Sequence, residues 1–398
     1  MSNGTELKKI WVLMATVFVD MLGFFIVLPL LPFYAEKLGA DPIRIGAMVS
    51  MFALAQLVSA PLWGRMSDRY GRRPMILIGL LVAAVAYSIF EVADSVWLLF
   101  LSRFVQGAAS GTTGVIQAYV SDSIDREERA KALGWLTAAT SAGVMMGPAV
   151  GSLAVGRIGP GYLAAGVCLL NFAFGWRWLP EPETSKAAGH ERQRGSTRRA
   201  IREFLLHPTR PLPRLVWIYT FGMMSFMAMN GIFALYLERV FGINERSIGW
   251  FFMYVGGVSL IMRSLFLGPA VARLGERKAM RVGALGVALG MALVPFAGSI
   301  WTLCAAITLV PFGTALLFPT TTSLVSQRAE EGQTGMILGV QQSFGGVARM
   351  LGPILAGAVF QFVGIRWPFW LAAILMVFAY LMAGGVGRAE GTLESNLG

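Results

Sequence analysis

The chain has 398 residues, of which 56% are hydrophobic and only 14% charged, with a formal net charge of +11 and a mean hydropathy of +0.63. A soluble domain of that length carries nearer a quarter charged residues, so the composition excludes an ordinary soluble protein. The only cysteines, Cys168 and Cys304, lie inside apolar segments, which excludes a disulfide scaffold and a cysteine metal site.

Runs of ~20 apolar residues recur from end to end, each long enough to cross ~30 Å of hydrocarbon at 1.5 Å per residue. The first, Ile10 to Tyr34, is too long and too polar in its middle for a cleaved signal peptide, and it lacks a small-residue cleavage site. Halfway along it stands Asp20, and no other carboxylate lies as deep in a hydrophobic segment. A charge at the bilayer centre costs at least ~2.5–3.5 kcal/mol, so Asp20 is expected to titrate or to pair. Two deep arginines, Arg103 and Arg349, are the other charges available. One acid and two bases in a greasy bundle point to a proton- or ion-coupled pathway; the alternative is a polar anchor that holds helices together.

Breaks at charge clusters, Gly and Pro give twelve predicted helices. The first six span 9–35, 44–64, 74–92, 96–120, 132–157 and 161–180; the second six span 213–237, 247–268, 280–298, 300–325, 336–362 and 367–386. The fold class is therefore an all-α membrane protein. An even number puts both termini on one side, and lysine and arginine choose the side. With the termini in the cytoplasm, inside loops hold about 24 of the 33 basic residues, and outside loops hold Lys37, Arg44, Arg157, Arg239, Arg246 and Arg366. The same distribution accounts for the net charge without invoking nucleic acid, because an anionic inner leaflet selects basic flanks.

The loop after the second helix reads Gly64-Arg65-Met66-Ser67-Asp68-Arg69-Tyr70-Gly71-Arg72-Arg73-Pro74. Glycines allow a sharp turn, Pro74 suits a first helical turn, and Asp68 can cap a helix or pair with an arginine across the loop. In the fourth helix, Arg103, Gln106 and Gly107 share one stretch. In the fifth, Gly143, Gly147 and Gly151 recur at four-residue intervals beside Pro148. That spacing lets a neighbouring helix pack backbone to backbone, and Pro148 removes a helical hydrogen bond and permits a kink. Segment 181–212 is polar and reads as a cytoplasmic linker containing His190 and His207. Its tail, 197–206, is expected to form a surface-lying amphipathic helix with Ile201, Phe204 and Leu205 toward lipid.

Beyond the linker the chain repeats itself. Tyr34-Ala35-Glu36-Lys37 returns as Tyr236-Leu237-Glu238-Arg239, Ile45-Gly46 as Ile248-Gly249, and Gly147-Pro148 as Gly352-Pro353. The 64–71 loop returns as Gly268 through Gly275 with Ala272 in place of Asp68. An ordered set of matches at a nearly constant offset implies two six-helix pseudo-symmetric bundles, 1–180 and 213–398. Parallel repeats of this kind place the substrate site near the midplane.

Together these motifs resemble the major facilitator superfamily, and the twelve-helix drug/proton antiporters, tetracycline and multidrug exporters, in particular. The 64–74 loop is similar to the superfamily's gating loop (Gly64, Asp68, Arg69, Gly71, Arg72 and Arg73). Arg103 with Gln106-Gly107 resembles its intramembrane arginine motif, and Gly143, Gly147, Pro148 and Gly151 resemble the antiporter motif. Asp20-x-x-Gly23 with Pro29 and Pro32 resembles the first helix of the drug exporters. The resemblance implies that Asp20 carries the coupled proton, that Arg103 helps control its protonation, and that the glycines of the fifth helix form a low-leak seal. Tetracycline exporters resemble one another in acids of the third and ninth helices. This chain has Ala86-Tyr87 in the third and no acid in 280–298, which points away from tetracycline.

Expected lining residues of the substrate cavity are Phe24, Gln56, Gln117, Tyr119, Phe226, Asn230, Tyr254, Phe318, Gln341 and Phe344, with Met223, Met224, Met227 and Met229 nearby. Met and aromatic side chains make adaptable surfaces that suit varied apolar ligands. Asp20, as the only deep carboxylate, favours a lipophilic cation or neutral compound over an anion. The expected activity is proton-coupled efflux of small amphipathic compounds by a monomer in the cytoplasmic (inner) membrane, with no cofactor, metal or nucleic acid. The alternative is a proton-coupled importer or exporter of a metabolite such as a sugar, which sparse cavity hydrogen-bonders disfavour. An enzyme has no support, since no nucleophile–His pair, metal cluster or phosphate loop is present.

Overall fold

A computed structural model describes residues 3–123, 128–182, 194–330 and 332–385. Among them every ordered element is helical and there is no strand. In chain order the helices are α1 (Asn3–Val27), α2 (Leu31–Lys37), α3 (Pro42–Tyr70), α4 (Arg72–Glu91), α5 (Val96–Ala109), α6 (Thr112–Ser123), α7 (Arg129–Ala154) and α8 (Pro160–Trp178). They continue as α9 (Arg194–Leu206), α10 (Pro211–Phe241), α11 (Ile248–Ile261), α12 (Leu267–Leu293), α13 (Ile300–Arg328), α14 (Thr334–Phe362) and α15 (Trp367–Gly384).

All twelve predicted spans are occupied by helix, and the differences lie where local chemistry interrupts or extends them. The first span breaks into α1 and α2 around Pro29, which cannot donate to the helical ladder. The fourth breaks between α5 and α6, where Trp63 packs in and donates its indole N–H to the Ala108 carbonyl (2.5 Å). The eighth runs through α11 and a π-turn (Met262–Phe266) into α12, and only Gly275, at φ +72°, turns the chain before the ninth. Eight stretches among the described residues are long and apolar enough to cross a membrane, one of them the 49-residue run Ile248–Phe296 that carries two passes.

Helix starts follow the usual donors and acceptors. Asp41 accepts from the Arg44 N–H (2.8 Å) at the head of α3, and Ser299 with Thr302 forms a capping box on α13. The surface helix of the linker tail is present as α9, but its apolar face is turned inward. Phe204 is 3% exposed and packs on Phe344, with its carbonyl accepting from Trp217 Nε1 (2.9 Å), so only Leu205 and Leu206 remain open. The expectation that Phe204 faces lipid is thereby corrected, because an aromatic ring on α14 and an indole N–H on α10 offer it better partners. His190 lies outside the described residues.

The chain forms two compact units, Met1–His190 with Leu237–Gly256, and Glu191–Tyr236 with Gly257–Gly398. The core of the first gathers Leu13, Val17, Ile76, Leu80, Ile116, Tyr119 and Leu136 from α1, α4, α6 and α7. In the second, a smaller cluster of Tyr219, Met223 and Ala348 is flanked by Met224, Met227 and Phe318.

Candidate functional site

Asp20 lies in the middle of α1, half-buried, and among the described residues it has no ion-pair or hydrogen-bond partner. Three residues further on, Gly23 leaves room for the Tyr87 ring of α4. A Cβ there would come within 3.1–3.3 Å of its phenol atoms. Tyr87 is 1% exposed, sits in electrostatic reach of both Asp20 and Arg103, and accepts a hydrogen bond from Gln106 Nε2 (2.8 Å). Arg103 is 1% exposed. Its guanidinium lies 5.4 Å from the Phe90 ring centre and donates one long bond to Ser102 Oγ (3.4 Å), leaving Nε and Nη1 without partners. Asp20 and Arg103 therefore do not form an ion pair, and a phenol–amide pair stands within reach of both. The sequence reading counted Ala86-Tyr87 only as a missing acid. The signal for Tyr87 was Gly23, one turn beyond Asp20.

Two residues of the expected gating loop, Asp68 and Arg72, are paired. Helix α3 continues through Gly64 to Tyr70, so the expected loop contracts to Gly71, whose φ of +103° only glycine adopts readily. Arg72, 8% exposed, donates through Nη1 to Asp68 Oδ1 (2.5 Å) and Ser67 Oγ (2.6 Å), and through Nε to Asp122 Oδ2 (3.0 Å). Glu181 accepts from the backbone N–H groups of Arg72 (2.6 Å) and Arg73 (2.9 Å), a carboxylate on the N-terminus of α4 where the helix dipole favours it. Arg73 donates to the Trp176 carbonyl (2.5 Å), Arg69 packs over Tyr70, and nothing lies within 4 Å of a Cβ built on Gly64. Asp122 and Glu181 escaped the sequence reading, because each is distant along the chain and Glu181 was placed in the linker.

Gly143, Gly147 and Gly151 all press on the backbone of α1. Added Cβ atoms would meet the Phe18 carbonyl (2.6 Å), the Leu22 carbonyl (2.8 Å) and the Ile26 carbonyl respectively. Pro148 lies inside α7, with its carbonyl against Gly249, and Ser152 accepts from the Gly249 N–H (2.9 Å) and donates to the Glu245 carbonyl (2.8 Å). Gly147→Val is thus expected to push α1, and Asp20 with it, away from α7 and to lower transport more than tenfold, since overpacking of this kind costs about 1–3 kcal/mol before any functional effect. Gly134→Val, where nothing lies within 4 Å of the added carbon, is expected to keep near-normal transport and expression. Equal losses in both variants would remove the packing role.

The expected lining residues separate into three groups. Phe24, Gln56, Phe226, Asn230 and Phe318 are half-buried, and Gln117 and Tyr254 are exposed. Asn230 spends its amide N–H on the Phe226 carbonyl of its own helix (2.8 Å). Tyr119 is not a lining residue: it is fully buried in the first unit's core and donates to the Pro180 carbonyl (2.5 Å). Phe344 is likewise taken up by packing against Phe204 and Trp217, and Gln341 is fully buried, donating to Thr322 Oγ1 (3.2 Å). Periodicity finds buried faces of helices but does not tell a packed face from an open one.

One further cluster lies within the first unit. The repeated Glu36-Lys37 and Glu238-Arg239 pairs meet through Arg239 and Glu36 (2.8 Å), and Lys37 reaches Glu245 (2.6 Å). They border a cavity of about 430 Å³ lined by Phe33, Asn244 and Arg246 besides. Pairs this exposed are worth ~0–1 kcal/mol each.

The family model of the Major Facilitator Superfamily matches residues 13–266 and 215–394. The class B tetracycline resistance protein of Escherichia coli is 25% identical over 95% of this chain and 94% of its own length. Multidrug resistance protein 1 of Bacillus subtilis (strain 168) is 29% identical, with 92% of each chain covered. Among solved structures, a bacterial homologue of the human lysosomal transporter Spinster aligns with a TM-score of 0.80 at 13% identity, covering 98% of this chain and 99% of the other. The nucleoside transporter NupG aligns with a TM-score of 0.74 at 16% identity, covering 95% and 98%. These structural likenesses establish the fold.

Proposed function

This chain belongs to the major facilitator superfamily and is a membrane transporter, and we propose that it exports small amphipathic compounds in exchange for protons by alternating access. The observation that carries this reading is Asp20, a carboxylate in mid-helix with no partner among the described residues, next to a tyrosine that also senses Arg103. A carboxylate that is not held by a cation is free to take up and release a proton, and an intramembrane ionisable group of this kind marks a relay. Full-length similarity to tetracycline and multidrug resistance proteins supports efflux as the direction. The sugar-transport alternative needs many free polar side chains, and the amide nitrogens of Gln106, Asn230 and Gln341 are all engaged internally. Transport of a substrate panel into inverted membrane vesicles, with and without an imposed proton gradient, tests the proposal. Gradient-independent movement of every compound would reject it.

The proposed topology has the bundles 1–180 and 213–398 joined by a cytoplasmic linker, in the inner membrane, with both termini inside. Arg199 is exposed on α9. A cysteine in its place, Arg199→Cys, is expected to react with a membrane-impermeant maleimide in inverted vesicles and to stay unlabelled in intact cells. Labelling in intact cells would invert the topology.

A further inference from the structure

The two units treat charge differently in their membrane helices. The first contains Asp20 and Arg103. In the second, α10 up to Tyr236 and α12–α15 carry no carboxylate apart from Glu276 beside the Gly275 kink. Yet Arg349 lies in the middle of α14 and Arg263 in the π-turn after α11. An arginine in mid-membrane without a counter-charge is unfavourable by at least ~2.5–3.5 kcal/mol unless it faces water or a ligand.

The surroundings of Arg349 are built, not accidental. Tyr219, contributed by α10, stands beside its guanidinium. Both groups lie over Gly345, one turn back on α14, where a Cβ would come 2.7 Å from Tyr219 Cε1 and 3.6 Å from Arg349 Nη1. Tyr219 itself is 5% exposed and is held edge-on by Phe318 of α13, with ring centres 5.4 Å apart. Phe318 in turn contacts the Phe226 ring at 6.3 Å, and Met223 packs against the same cluster. Arg349 remains half-buried, with no carboxylate partner among the described residues.

We infer that Arg349 and Tyr219 form a subsite for the acidic group of an aromatic carboxylate substrate, with Phe318, Phe226 and Met223 receiving its apolar body. The inference rests on the exporter reading and supplies its substrate class. A guanidinium presents a fork of donors that matches a carboxylate. Beside it, the Tyr219 O–H is a second donor for the same anion. The apolar wall selects an amphipathic acid over a small inorganic anion. The preference for a cation or neutral compound came from weighing Asp20 alone, whereas the second unit's helices hold the deep arginines Arg263 and Arg349 and no deep acid.

The test uses the purified full-length protein in lipid nanodiscs and three matched probes: 1-naphthaleneacetate, its neutral amide, and 1-naphthylmethylamine. The wild type is expected to bind the acetate most tightly. Arg349→Gln is expected to weaken acetate binding about tenfold or more while leaving the amide unchanged, since a hydrogen bond to a charged group is worth about 1.5–3 kcal/mol. Arg349→Lys is expected to retain part of the preference, and Tyr219→Phe to weaken acetate binding a few-fold. Thermal unfolding of each variant separates a lost subsite from a lost fold; if Arg349→Gln melts early, Tyr219→Phe and Arg349→Lys carry the comparison. An unchanged acetate-to-amide ratio in the variants overturns the inference, as does wild-type binding of none of the probes. Uptake of the same probes into inverted vesicles is read separately. If acetate binding follows Arg349 but no probe is driven by a proton gradient, the exporter reading fails and the subsite stands.

Discussion

Arg72→Ala is expected to lower transport at least tenfold while leaving membrane insertion intact. Arg72 is the only cation that reaches both Asp68 and Asp122 among the described ion pairs, and it does so from an 8% exposed position. Removing it takes this cation from two carboxylates, and breaking a buried ion pair from one side costs about 3–5 kcal/mol. That figure is an upper bound here, because the Asp68 side chain is 53% exposed. Insertion should survive because Arg65, Arg69 and Arg73 still mark the loop as basic. Arg72→Lys keeps the charge but cannot fork between two acids and Ser67, so it should fall between alanine and the wild type. Asp68→Asn keeps an oxygen that can accept from Arg72 and loses only the charge. It should impair transport less than Arg72→Ala does, whereas a simple scaffold role predicts no difference between the two. Transport rates normalised to protein inserted in the membrane make the measurement. Wild-type rates for Arg72→Ala would show that the cluster is a passive turn.

How much of this was legible beforehand follows from what each signal encodes. Apolar runs located the passes, because a bilayer imposes length and composition on any helix that crosses it. They placed helix ends poorly, since polar residues can continue a helix past the hydrocarbon: α3 runs on to Tyr70, beyond the expected end at Gly64. Glycine spacing foretold that α7 packs on a neighbour but not which one; that neighbour is α1, the helix of Asp20. Asp20 and Arg103 stood out because each is costly where it sits, and Asp68 because of the spacing of the 64–74 loop. Tyr87, Asp122 and Glu181 did not, since a tyrosine in a membrane helix and acids near loops are individually ordinary. Their significance arises only from partners about 20–110 residues away, such as Gln106 for Tyr87 and Arg72 for Glu181. Arg349 was visible as a deep charge and Arg263 was passed over, but the meaning of Arg349 came from Tyr219 lying over Gly345.

Asp20→Asn is expected to abolish proton-driven export while leaving substrate binding, and to make that binding independent of pH. Asparagine has nearly the shape of a protonated carboxyl group, so the variant mimics one end of the proposed cycle and cannot reach the other. The surroundings should tolerate it, because no described residue is an ion-pair or hydrogen-bond partner of Asp20. Tyr87 keeps its bond from Gln106, and Arg103 keeps Ser102 and the Phe90 face. The two other acids that could serve as coupling sites are already committed, Asp68 to Arg72 (2.5 Å) and Glu91 to the Gly161 N–H at the head of α8 (2.7 Å). Three measurements in proteoliposomes separate the roles: export against a gradient, proton release on substrate addition, and substrate affinity across pH. A coupling carboxylate predicts loss of the first two with a flat third. A polar anchor predicts lowered affinity or stability with proton release per substrate unchanged, and a variant that still pumps with normal proton release would move the coupling site to Asp68 or Glu91. Tyr87→Phe sharpens the comparison, since it removes the hydroxyl that Gln106 meets without altering the charge at Asp20. If the phenol serves only to position Gln106 and Arg103 near Asp20, this variant should shift the pH dependence of binding and still couple export to protons.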